Sequence, residues 1–559
     1  MQKKIIECVP NFSEGRRPDV IEAIADAVRS VSGVKLLDVD PGEATNRTVM
    51  TFAGEPEPVM EAAFRAVKRA SELIDMRSHK GAHPRMGATD VLPLVPVQGI
   101  TLEECAQRAR QLGRRIADEL SIPVYAYEAS AFKPERKNLA VCRQGEYEGL
   151  AARLGGEDGA DFGDRSWDEA AARTGATAVG ARNFLIAVNF NLNTTSTRRA
   201  NAIAFDVREK GRVLRKDGEL VKDAQGNPVM QPGTLPATKA IGWFIEEYGI
   251  AQVSMNITDI TRTPLHVAFD EVCRAAQARG IRVTGTEIVG LVPRSVLIDA
   301  GKYFLAKQQR SCGLPEGEIV DMAVRSMGLA ELGAFEPKQK VIEYMLAETA
   351  GKSLVELTAR NLAYLTASES PAPGGGSVSA YIGALGAALG TMVANLSSHK
   401  AGWDARWKEF SDVAEQGQTL TDELLHLVDA DTDAFNKVME AIKMPKSTEA
   451  EKEARRVAMD KANEYAAEVP IATMQTAMKA LPLLEQMAEK GNPASVSDAG
   501  VGALAIRTAV EGAGLNVKIN AASIADADKR AAICGRVDQL NAQTADAVAK
   551  IMEIVNSKI

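Results

Sequence analysis

Histidine is scarce in this chain, since only five occur among its 559 residues, and aromatic residues make up only 5%. Two of the five histidines lie within residues 77–85, in the stretch RSHKGAHPR, which holds three further basic residues and no acid. Because histidine exchanges a proton near neutral pH, a histidine in a cationic loop suits acid/base chemistry on an anionic substrate. A pair of solvated surface histidines is the alternative that composition leaves open.

Cysteine is also sparse, and the six cysteines are widely scattered along the chain. No two cysteines form a C-x-x-C pair and none has a histidine at ligand spacing, which predicts reduced, mostly buried thiols and no structural zinc. The six are Cys8, Cys105, Cys142, Cys273, Cys312 and Cys534. The first residues, MQKKIIECVPNFSEG, contain too short an apolar run for a secretory signal. We therefore expect a cytoplasmic protein.

The chain has no excess of positive charge. Its net charge is −8 at pH 7, which argues against general binding to nucleic acids or to anionic membranes. We therefore expect small-molecule partners, with any anionic substrate held by a local basic site. The length is too great for one hydrophobic core and predicts roughly three or four folded units.

The first third of the chain alternates strand and helix patterns. KKIIECV reads as a strand, and Pro18 begins a helix with one apolar face. VKLLDVD and RTVMTFAG read as two further strands, followed by a helix over about residues 57–74 and the strand TDVLPLVPV. This β-α-β-β-α-β order predicts a ferredoxin-like α/β subdomain.

The same order recurs in the next part of the chain. NFLIAVNFNL reads as a strand, residues 196–210 as a helix, and TKAIGWFIEEYGIAQVSMNITD as two strands. A helix over about residues 265–279 and the strand IRVTGTEIVGLV complete the set, while residues 212–233 read as an exposed hairpin or loop. Two such subdomains side by side leave a groove, which is a common place for a ligand.

Strand patterns almost vanish beyond residue 336, and the last 200 or so residues predict an all-helical bundle. The predicted divisions are two α/β subdomains at 1–180 and 181–335, a linker at 336–350, and a helical domain at 351–559. The segment PAPGGGSVSAYIGALGAALGTMVANLS has the length of a membrane span. Its many Gly, Ala and Ser residues make it only weakly apolar, which favours a buried helix whose Gly383, Gly386 and Gly390 allow close packing.

A glycine-rich stretch, PGGGS at residues 373–377, stands just before this helix. Free backbone amides and the helix dipole at such a place suit a carboxylate or phosphate. The stretch lacks the lysine and the spacing of a phosphate-binding P-loop, so a flexible entry to a buried helix is equally compatible with it.

Three acids interrupt the helical pattern of LVDADTDAFNKVMEA. At about 100° per residue, Asp431 lies near the apolar line through Leu427 and Phe435, whereas Asp429 and Asp433 diverge from it by about 200° in either direction. We therefore expect Asp431 to face inward. A carboxylate that faces a core is costly unless it has a partner or a chemical task, although a solvated helix face explains most acidic clusters.

Longer motifs carry a resemblance to a known family. ECVPNFSEG, LLDVDPGEATNRTV, LIDMRSHKGAHPRMGATDVLP, GEYEGL, GARNFLIAVNFNLN and IVGLVP resemble the formiminotransferase domain. SPAPGGGS, LVDADTDAF, EVP, KGNPASVSD and GLNVKIN resemble the cyclodeaminase domain. In this order and at these spacings, the whole chain resembles the bifunctional formiminotransferase-cyclodeaminase family of histidine breakdown. The charged stretch after residues 161–163 and the segment 212–233 depart from the family pattern.

For the first half, the resemblance implies transfer of a formimino group from N-formimino-L-glutamate to nitrogen-5 of tetrahydrofolate. It implies that His83 is the acid/base residue, while His79 is expected to be structural or solvated. The family's folate-binding stretch corresponds to residues 163–175. The expected substrate-binding residues are Asp40, Asn46, Arg47, Arg77, Lys80, Arg85, Gly163, Asp164, Gly175 and Arg182, of which Arg77, Lys80 and Arg85 would hold the carboxylates of formiminoglutamate.

For the second half, the resemblance implies closure of 5-formiminotetrahydrofolate to 5,10-methenyltetrahydrofolate with loss of ammonia, and Asp431 matches the proton-transferring residue. The residues expected to bind the pterin and its glutamate tail are Gly374, Gly375, Gly376, Ser377, Asn492, Ser497, Asp498, Asn516 and Asn520. Tetrahydrofolate is the expected co-substrate, in polyglutamylated form, with no metal or redox cofactor. The family also implies a homo-oligomer in one-carbon metabolism.

Two alternatives stay open for the helical half. It could act only as a methenyltetrahydrofolate cyclohydrolase on the same scaffold, or it could be a non-catalytic folate-binding or assembly module. Release of ammonia from supplied 5-formiminotetrahydrofolate separates these readings from cyclodeaminase activity.

Overall fold

The computed structural model describes residues 4–43, 45–81, 83–164, 166–347, 353–522, 524 and 526–559. Contacts divide the chain into two compact units, Met1–Val296 with Met327–Thr349 and Leu297–Ser326 with Ala350–Ile559. The first unit is mixed α/β and the second is helical, so the expected multidomain class is confirmed at this level. Lys3 of the predicted first strand and residues 348–350 of the predicted linker lie outside the described residues.

The first unit begins with a seven-stranded sheet. Its strands are β1 Ile5–Cys8, β2 Asn11–Phe12, β3 Val34–Gly42, β4 Arg47–Gly54, β5 Thr89–Gln98, β6 Val124–Glu128 and β7 Thr177–Ala181. Pro10 separates β1 from β2, and both short strands lie between β4 and β5. β1 to β5 pair antiparallel, with β3 outside β4, whereas β7 joins β5 in parallel and β6 follows it.

Three amphipathic helices cover one face of this sheet, namely α1 Pro18–Arg29, α2 Pro56–Leu73 and α3 Leu102–Leu120. Proline occupies the first turn of α1 and α2, where its missing N–H costs no hydrogen bond. The apolar side of α1, including Ile21 and Ile24, packs in one core with Ile6 and Cys8 of β1. Because side chains alternate along a strand, Glu7 lies on the opposite face of the sheet. The short helices α4 Leu139–Cys142, α5 Leu150–Leu154 and α6 Glu169–Thr174 follow.

The second sheet has four antiparallel strands in the order β13-β14-β8-β15. Its elements are β8 Ile186–Leu192, α7 Thr197–Val207, β13 Thr238–Ile245, β14 Ile250–Ile257, α8 Leu265–Gln277 and β15 Val283–Val289. Apart from the short strands of residues 212–233, these elements follow one another in the order β-α-β-β-α-β. Residues 212–233 form a mostly exposed segment, in which β9 Arg212–Val213 pairs with β12 Met230–Gln231 and encloses a hairpin of β10 Arg215–Lys216 and β11 Glu219–Leu220. The sequence predicts an exposed hairpin or loop here.

Four helices follow the second sheet, α9 Arg294–Lys307, α10 Glu316–Met327, α11 Pro337–Lys340 and α12 Ile342–Ala347. Residues 297–326, which the sequence assigns to the second α/β subdomain, group by contacts with the helical unit. Lys302 forms an ion pair with Glu415 at 2.8 Å, and the Cys312 backbone N–H donates to the Ser411 hydroxyl at 3.0 Å. These contacts join α9 and the segment after it to the longest helix of the bundle.

The bundle consists of α13 Ala359–Thr366, α14 Gly375–Ser398, α15 Trp407–Lys443, α16 Glu449–Met478, α17 Leu481–Lys490, α18 Val496–Ala521 and α19 Ala527–Asn556. α14 is the predicted glycine-rich helix, and its Gly383 and Gly386 lie against Ala509 and Ile506 of α18 so closely that an added Cβ would crowd these side chains. By length and composition α14 could cross a membrane, but 61% of its most apolar window is buried inside the protein. This is the packing of a core helix, as the sequence predicts.

Candidate active sites

The basic loop that contains both histidines joins α2 to β5, and glycines fix its course. Gly87 forms a bridge with Gly175, and a Cβ on Gly87 would collide with the backbone of Ala176. A Cβ on Gly81 would likewise collide with the carbonyl oxygen of Thr45. The loop is therefore pressed against the β3–β4 turn, which brings His83 beside Arg47.

His83 is half-buried and contacts hydrogen-bonding partners on both ring nitrogens. Nδ1 lies 2.6 Å from the carbonyl oxygen of Pro84, so Nδ1 carries the proton and donates it. Nε2 then accepts a hydrogen bond from Nη1 of Arg47. Burial lowers the pKa of His83, and the charge of Arg47 lowers it further. The imidazole is therefore neutral at pH 7, which is the form that a general base requires.

Arg47 supplies an unsatisfied donor at the same place. Within the described part of the chain its buried Nε has no hydrogen-bond partner. Burial lowers the pKa of Arg47, while nearby Asp90 opposes this effect. A buried guanidinium N–H without a partner is costly, and a substrate carboxylate would satisfy it.

Asp90 and Arg143 form a buried ion pair close to Arg47, and neither was predicted from the sequence. The carboxylate of Asp90 is 1% exposed and also accepts the Met86 backbone N–H at 3.1 Å. It therefore fixes the end of the basic loop. Its position directly after the motif HPRMGAT was a usable signal, whereas its partner lies 53 residues further along the chain.

His79 and Asn46 hold the loop in place. His79 Nε2 donates to the Asn46 carbonyl oxygen at 2.9 Å, and its Nδ1 accepts from Arg85 Nε at 3.3 Å. The Asn46 amide accepts the Gly15 N–H and donates to the Lys80 carbonyl oxygen, both at 3.0 Å. Both polar ends of the Asn46 side chain are thus engaged in joining loop to strand.

The remaining basic residues of the motif occupy two different settings. Lys80 and Arg85 line a cavity of about 520 Å³, in which Arg85 forms ion pairs with Glu146 at 3.1 Å and Glu148 at 2.7 Å. Arg77 is exposed and is engaged by Asp75 and Glu169, each at 2.5 Å. Asp40 is exposed on β3. The structure thus groups Asn46, Arg47, Lys80 and Arg85 with His83 and gives Arg77 other partners.

The expected folate-binding stretch, residues 163–175, runs back to the same loop. Gly163 and Gly175 both have positive φ, at 91° and 66°, and a Cβ on Gly175 would meet the Met86 carbonyl oxygen. The Asp164 carboxylate accepts the Ser166 backbone N–H at 3.0 Å. Arg165 lies outside the described residues. Gly175 thus lies beside the basic loop.

Arg182 lies near a buried acid that sequence reasoning missed. Glu7 is 4% exposed in the middle of β1, and burial raises its pKa to about 7, although the charge of Arg182 opposes this shift. Glu343 raises the pKa of Glu7 further. The sequence signal for this buried acid was a glutamate inside the apolar strand stretch KKIIECV. Strand β1 therefore carries a buried carboxyl group with a raised pKa.

In the helical unit, the stretch at residues 373–377 forms the entry to α14 and lies against α15. A Cβ on Gly376 would collide with the carboxylate of Asp431, so only glycine permits this approach. Ser377 Oγ donates to Asp431 Oδ2 at 2.9 Å and lies 3.2 Å from Thr432 Oγ1. Burial raises the pKa of Asp431, while hydrogen bonds from the Ser377 hydroxyl and backbone oppose this effect. A carboxyl with a raised pKa is suited to passing a proton near neutral pH.

Asp431 and Phe435 line a polar cavity of about 290 Å³, which confirms the inward orientation predicted from helical phase. Asp429 instead accepts hydrogen bonds from the Ser353 hydroxyl and from the Leu354 backbone N–H, the latter at 2.7 Å. Asp433 is exposed. Asp431 thus lines the cavity, Asp429 accepts hydrogen bonds from the segment before α13, and Asp433 is exposed to solvent.

Three asparagine amides line the same cavity as Asp431, from Asn463, Asn516 and Asn520. Asn516 Nδ2 donates to the Gly512 carbonyl oxygen at 3.0 Å, and Asn520 Nδ2 donates to the Ala466 carbonyl oxygen at 2.7 Å. These bonds fix the orientation of both side chains. Asn463 was not predicted from the sequence, since it lies in none of the motifs that resemble the family.

Asn492, Ser497 and Asp498 lie at the other end of the bundle. The Asn492 backbone N–H donates to the hydroxyl of Ser397 at 2.8 Å. Ser397 is 20 residues beyond Ser377 on α14, which corresponds to about 30 Å along the helix axis. Within one chain the structure therefore does not bring these three residues together with Asp431.

Among the described residues, no group of three or more His, Cys, Asp and Glu residues is placed to hold a metal ion, and the six cysteines are free thiols. The two sites thus consist of one neutral histidine beside guanidinium groups and one half-buried carboxyl near amides and the Ser377 backbone N–H. Both are arrangements for proton transfer on anionic or polar small molecules.

Comparison with known proteins supports this description. Residues 5–182 match the family model of the formiminotransferase domain, N-terminal subdomain, residues 187–347 that of the formiminotransferase domain, and residues 358–539 that of formiminotransferase-cyclodeaminase.

Of three relatives, one matches nearly the whole chain and the other two each match part of it. The chain is 41% identical over 525 residues to the formimidoyltransferase-cyclodeaminase of Mus musculus, covering 94% of this chain and 93% of the relative. The glutamate formimidoyltransferase of Streptococcus pyogenes is 43% identical over 54% of this chain and 93% of its own length. The methenyltetrahydrofolate cyclohydrolase of Methylorubrum extorquens is 37% identical over 34% of this chain and 93% of its own length. The chain belongs to the formimidoyltransferase-cyclodeaminase family.

Proposed function

We propose that the chain carries both activities named in its family. The first unit transfers the formimino group of N-formimino-L-glutamate to tetrahydrofolate, and the second closes 5-formiminotetrahydrofolate to 5,10-methenyltetrahydrofolate with release of ammonia. One observation carries this proposal. Each unit holds a half-buried acid/base group whose pKa is shifted in the direction that its step requires, downward for His83 and upward for Asp431.

In the transfer step, nitrogen-5 of tetrahydrofolate attacks the formimino carbon and a tetrahedral intermediate forms. Nε2 of neutral His83 accepts the proton that nitrogen-5 loses, and it then donates this proton to the nitrogen of the departing glutamate. The bond between that nitrogen and the formimino carbon breaks, and the histidine returns to its neutral form. The hydrogen bond from Nδ1 to Pro84 keeps Nε2 as the reacting nitrogen.

The substrate carboxylates have cationic partners in the same loop. Arg47 has an unsatisfied buried Nε beside His83, and Lys80 lines the cavity of about 520 Å³. When the Arg47 guanidinium binds a substrate carboxylate, its hydrogen bond to Nε2 of His83 would break, and Nε2 would be free to accept a proton. We also propose that six further residues implied by the family resemblance bind substrate, namely Asp40, Arg77, Gly163, Asp164, Gly175 and Arg182.

In the cyclisation step, nitrogen-10 attacks the carbon of the protonated formimino group, N5–CH=NH2+, and loses its proton. The former imino nitrogen, which already carries two hydrogens, gains that proton and leaves as ammonia, and the positive charge stays on the methenyl bridge. The Asp431 carboxylate accepts the first proton and delivers it to the leaving nitrogen. A raised pKa makes the second transfer easier than it would be from an ordinary aspartic acid. Gly374, Gly375, Gly376, Ser377, Asn516 and Asn520 would hold the pterin, and the roles carried over to Asn492, Ser497 and Asp498 stay predictions.

We infer a cytoplasmic homo-oligomer that acts in histidine degradation and one-carbon metabolism and takes polyglutamylated folate. We also infer two ferredoxin-like subdomains at 1–180 and 181–335, a linker at 336–350 and a cyclodeaminase domain at 351–559. The strand order β13-β14-β8-β15 supports the ferredoxin-like description, because it places the first and third strands of a β-α-β-β-α-β unit in the centre of the sheet.

A methenyltetrahydrofolate cyclohydrolase is the second candidate for the helical unit, and the similarity to the protein of that name in Methylorubrum extorquens favours it. The two reactions differ in their products, because hydrolysis of the methenyl bridge releases no ammonia. A non-catalytic folate-binding module is disfavoured by the position of Asp431 in a cavity.

One assay tests the proposal. The purified chain is given tetrahydrofolate and formiminoglutamate, and ammonia and methenyltetrahydrofolate absorbance are followed together. We expect equal amounts of both products. If glutamate appears without ammonia, only the transferase assignment survives, and ammonia release from supplied 5-formiminotetrahydrofolate then tests the helical unit alone.

A further inference from the structure

A second cavity lies beside the polar one in the helical unit, and it is apolar. Its volume is about 370 Å³, and its walls come from three helices. α13 contributes Leu362 and Ala363, α14 contributes Val378 and Tyr381, and α15 contributes Val428. An apolar cavity of about 150 Å³ is enough to bind benzene, so this one has room for a substituted aromatic ring.

The two cavities meet at Ser377. Pro373 and Ser377 line the apolar cavity, whereas Gly374, Gly376 and Asp431 line the polar one. The hydroxyl of Ser377 donates to Asp431 at 2.9 Å and thus connects a wall of the first to the carboxyl of the second. A ligand with a polar ring at one end and an apolar ring at the other would place its joining atoms beside this hydrogen bond.

Reduced folates have this form. A polar pterin carries nitrogen-5, and a short link through nitrogen-10 leads to a benzoyl ring with a glutamate tail. The amides around Asp431 suit the polar edge of a pterin, while the adjoining cavity offers almost no polar group to a ligand. With one ring in each cavity, nitrogen-5 and nitrogen-10 lie at Ser377 and Asp431, where cyclisation needs a proton acceptor.

We propose that the apolar cavity beneath α13 is the subsite for the p-aminobenzoyl ring of the folate substrate. The inference rests on the proposed cyclodeaminase function and adds the element that would align nitrogen-10 with the formimino carbon. Holding two reacting atoms in this way converts binding of the remote ring into rate at the reacting centre.

α13 acts as the cover of this subsite. None of its residues is fully buried, and Tyr364 on its outer side is 69% exposed, so the helix contributes one thin wall rather than a part of the bundle core. The segment that leads into α13 is tied down by Asp429, which accepts the N–H of Leu354 at 2.7 Å and the Ser353 hydroxyl. Substitutions in α13 should therefore change the cavity without unfolding the bundle.

Two probes separate the two cavities in the full-length chain. p-Aminobenzoyl-L-glutamate carries the ring without the pterin, and 6-methyltetrahydropterin carries the pterin without the ring. Each is tested as an inhibitor of ammonia release from supplied 5-formiminotetrahydrofolate. Ala363→Phe fills the apolar cavity, Leu362→Asn makes its wall polar at similar volume, and Tyr364→Ala on the outer side of the same helix is the matched control.

We expect both probes to compete with substrate in the parent chain. Ala363→Phe and Leu362→Asn should raise the inhibition constant of p-aminobenzoyl-L-glutamate about 10-fold or more, since a buried ring loses most of its apolar contact. The constant for 6-methyltetrahydropterin should change less than about 2-fold, and Tyr364→Ala should change neither. Equal weakening of both probes, or an unchanged constant for the ring probe, would overturn the subsite.

A parent chain that releases no ammonia would overturn the proposed function rather than the subsite. Calorimetric titration of the same two probes into the same variants then decides the subsite without any turnover. Loss of heat for the ring probe alone in Ala363→Phe and Leu362→Asn supports it, and unchanged heats for both probes contradict it.

Discussion

Ser377 Oγ donates a hydrogen bond to Asp431 Oδ2 at 2.9 Å, which joins the first turn of α14 to the middle of α15. This bond lowers the pKa of Asp431, whereas burial raises it, and burial has the larger effect. The pH at which the carboxyl titrates thus depends on burial, which raises its pKa, and on hydrogen bonds from the hydroxyl and the backbone N–H of Ser377, which lower it.

Removal of that hydroxyl should move the titration upward. In Ser377→Ala the opposing hydrogen bond is lost, so the pKa of Asp431 rises further and the acid limb of ammonia release shifts to higher pH. The measurement is the pH profile of kcat with supplied 5-formiminotetrahydrofolate. Ser379→Ala is the control, because its hydroxyl donates to the Gly375 carbonyl oxygen at 2.6 Å and not to Asp431. A limb that stays in place in Ser377→Ala would show that Asp431 is not the titrating base.

Asp431→Asn should stop ammonia release while transfer continues. The amide keeps the shape of the side chain but exchanges no proton near neutral pH, so the expected loss is about 100 to 10,000-fold. In a reaction started from formiminoglutamate, 5-formiminotetrahydrofolate should then accumulate. Asp433→Asn is the matched control on the exposed side of the same helix, and Asp429→Asn should also be much milder because an amide oxygen still accepts the Leu354 N–H. Full-speed product formation by Asp431→Asn would refute the assignment.

The orientation of Asp431 could be predicted because a helix has a fixed angular period. Leu427 and Phe435, one turn on either side, were sufficient to place it. The hydrogen bond from Ser377 could not be predicted in the same way, since 54 residues separate the two side chains and their meeting depends on how α14 packs against α15. Gly376 was the local signal for this contact, because a glycine without a Cβ leaves room for the Asp431 carboxylate.

The transferase site shows the same division. The motif around His83 marks the loop, but the partners that define its chemistry come from distant segments. Arg47 precedes His83 by 36 residues, and Arg143 reaches Asp90 across 53 residues. Glu146 and Glu148, which hold Arg85, belong to a segment without a helical or strand period. The motif therefore marks the loop, whereas the charged partners of His83 and Arg85 depend on how distant segments fold together.

His83→Ala should lower the rate of formimino transfer by about 100 to 10,000-fold, the usual contribution of a general acid/base. Ammonia release from supplied 5-formiminotetrahydrofolate should stay near the parental rate, because Asp431 belongs to the other compact unit. The second activity of the same sample thus serves as its internal control. A His83→Ala chain that transfers at the parental rate would refute this role.

The acid limb of transfer should lie below the ordinary pKa of histidine, 6.5, because burial and Arg47 lower the pKa of His83 and only the neutral form accepts a proton. Arg47→Gln removes the positive charge, so the pKa should rise and the limb should move to higher pH. Arg47→Lys keeps a charge and is the control. The profile of kcat/KM against pH reads the shift separately from any loss of substrate binding, and a limb that is unmoved in Arg47→Gln would contradict it.

Glu7 should make the α/β unit less stable as the pH rises. Burial raises the folded-state pKa from 4.5 to about 7, so between these values the folded state binds more protons than the unfolded state. The free energy of unfolding therefore falls as the pH rises through this window, and the cost is fully present above pH 7. The difference between the two pKa values corresponds to about 3 kcal/mol for a group that is 4% exposed.

Glu7→Gln should remove this dependence, because the amide is neutral at every pH. The variant should be more stable than the parent at pH 8 and closest to it near pH 5, where Glu7 is largely protonated in the folded state. Denaturant unfolding of the α/β unit at the two pH values measures the difference. Glu119→Gln removes an acid that is 54% exposed on α3 and should change stability by less than about 1 kcal/mol at either pH. If the parent and Glu7→Gln show the same change in stability between pH 5 and pH 8, Glu7 is ionised throughout this range.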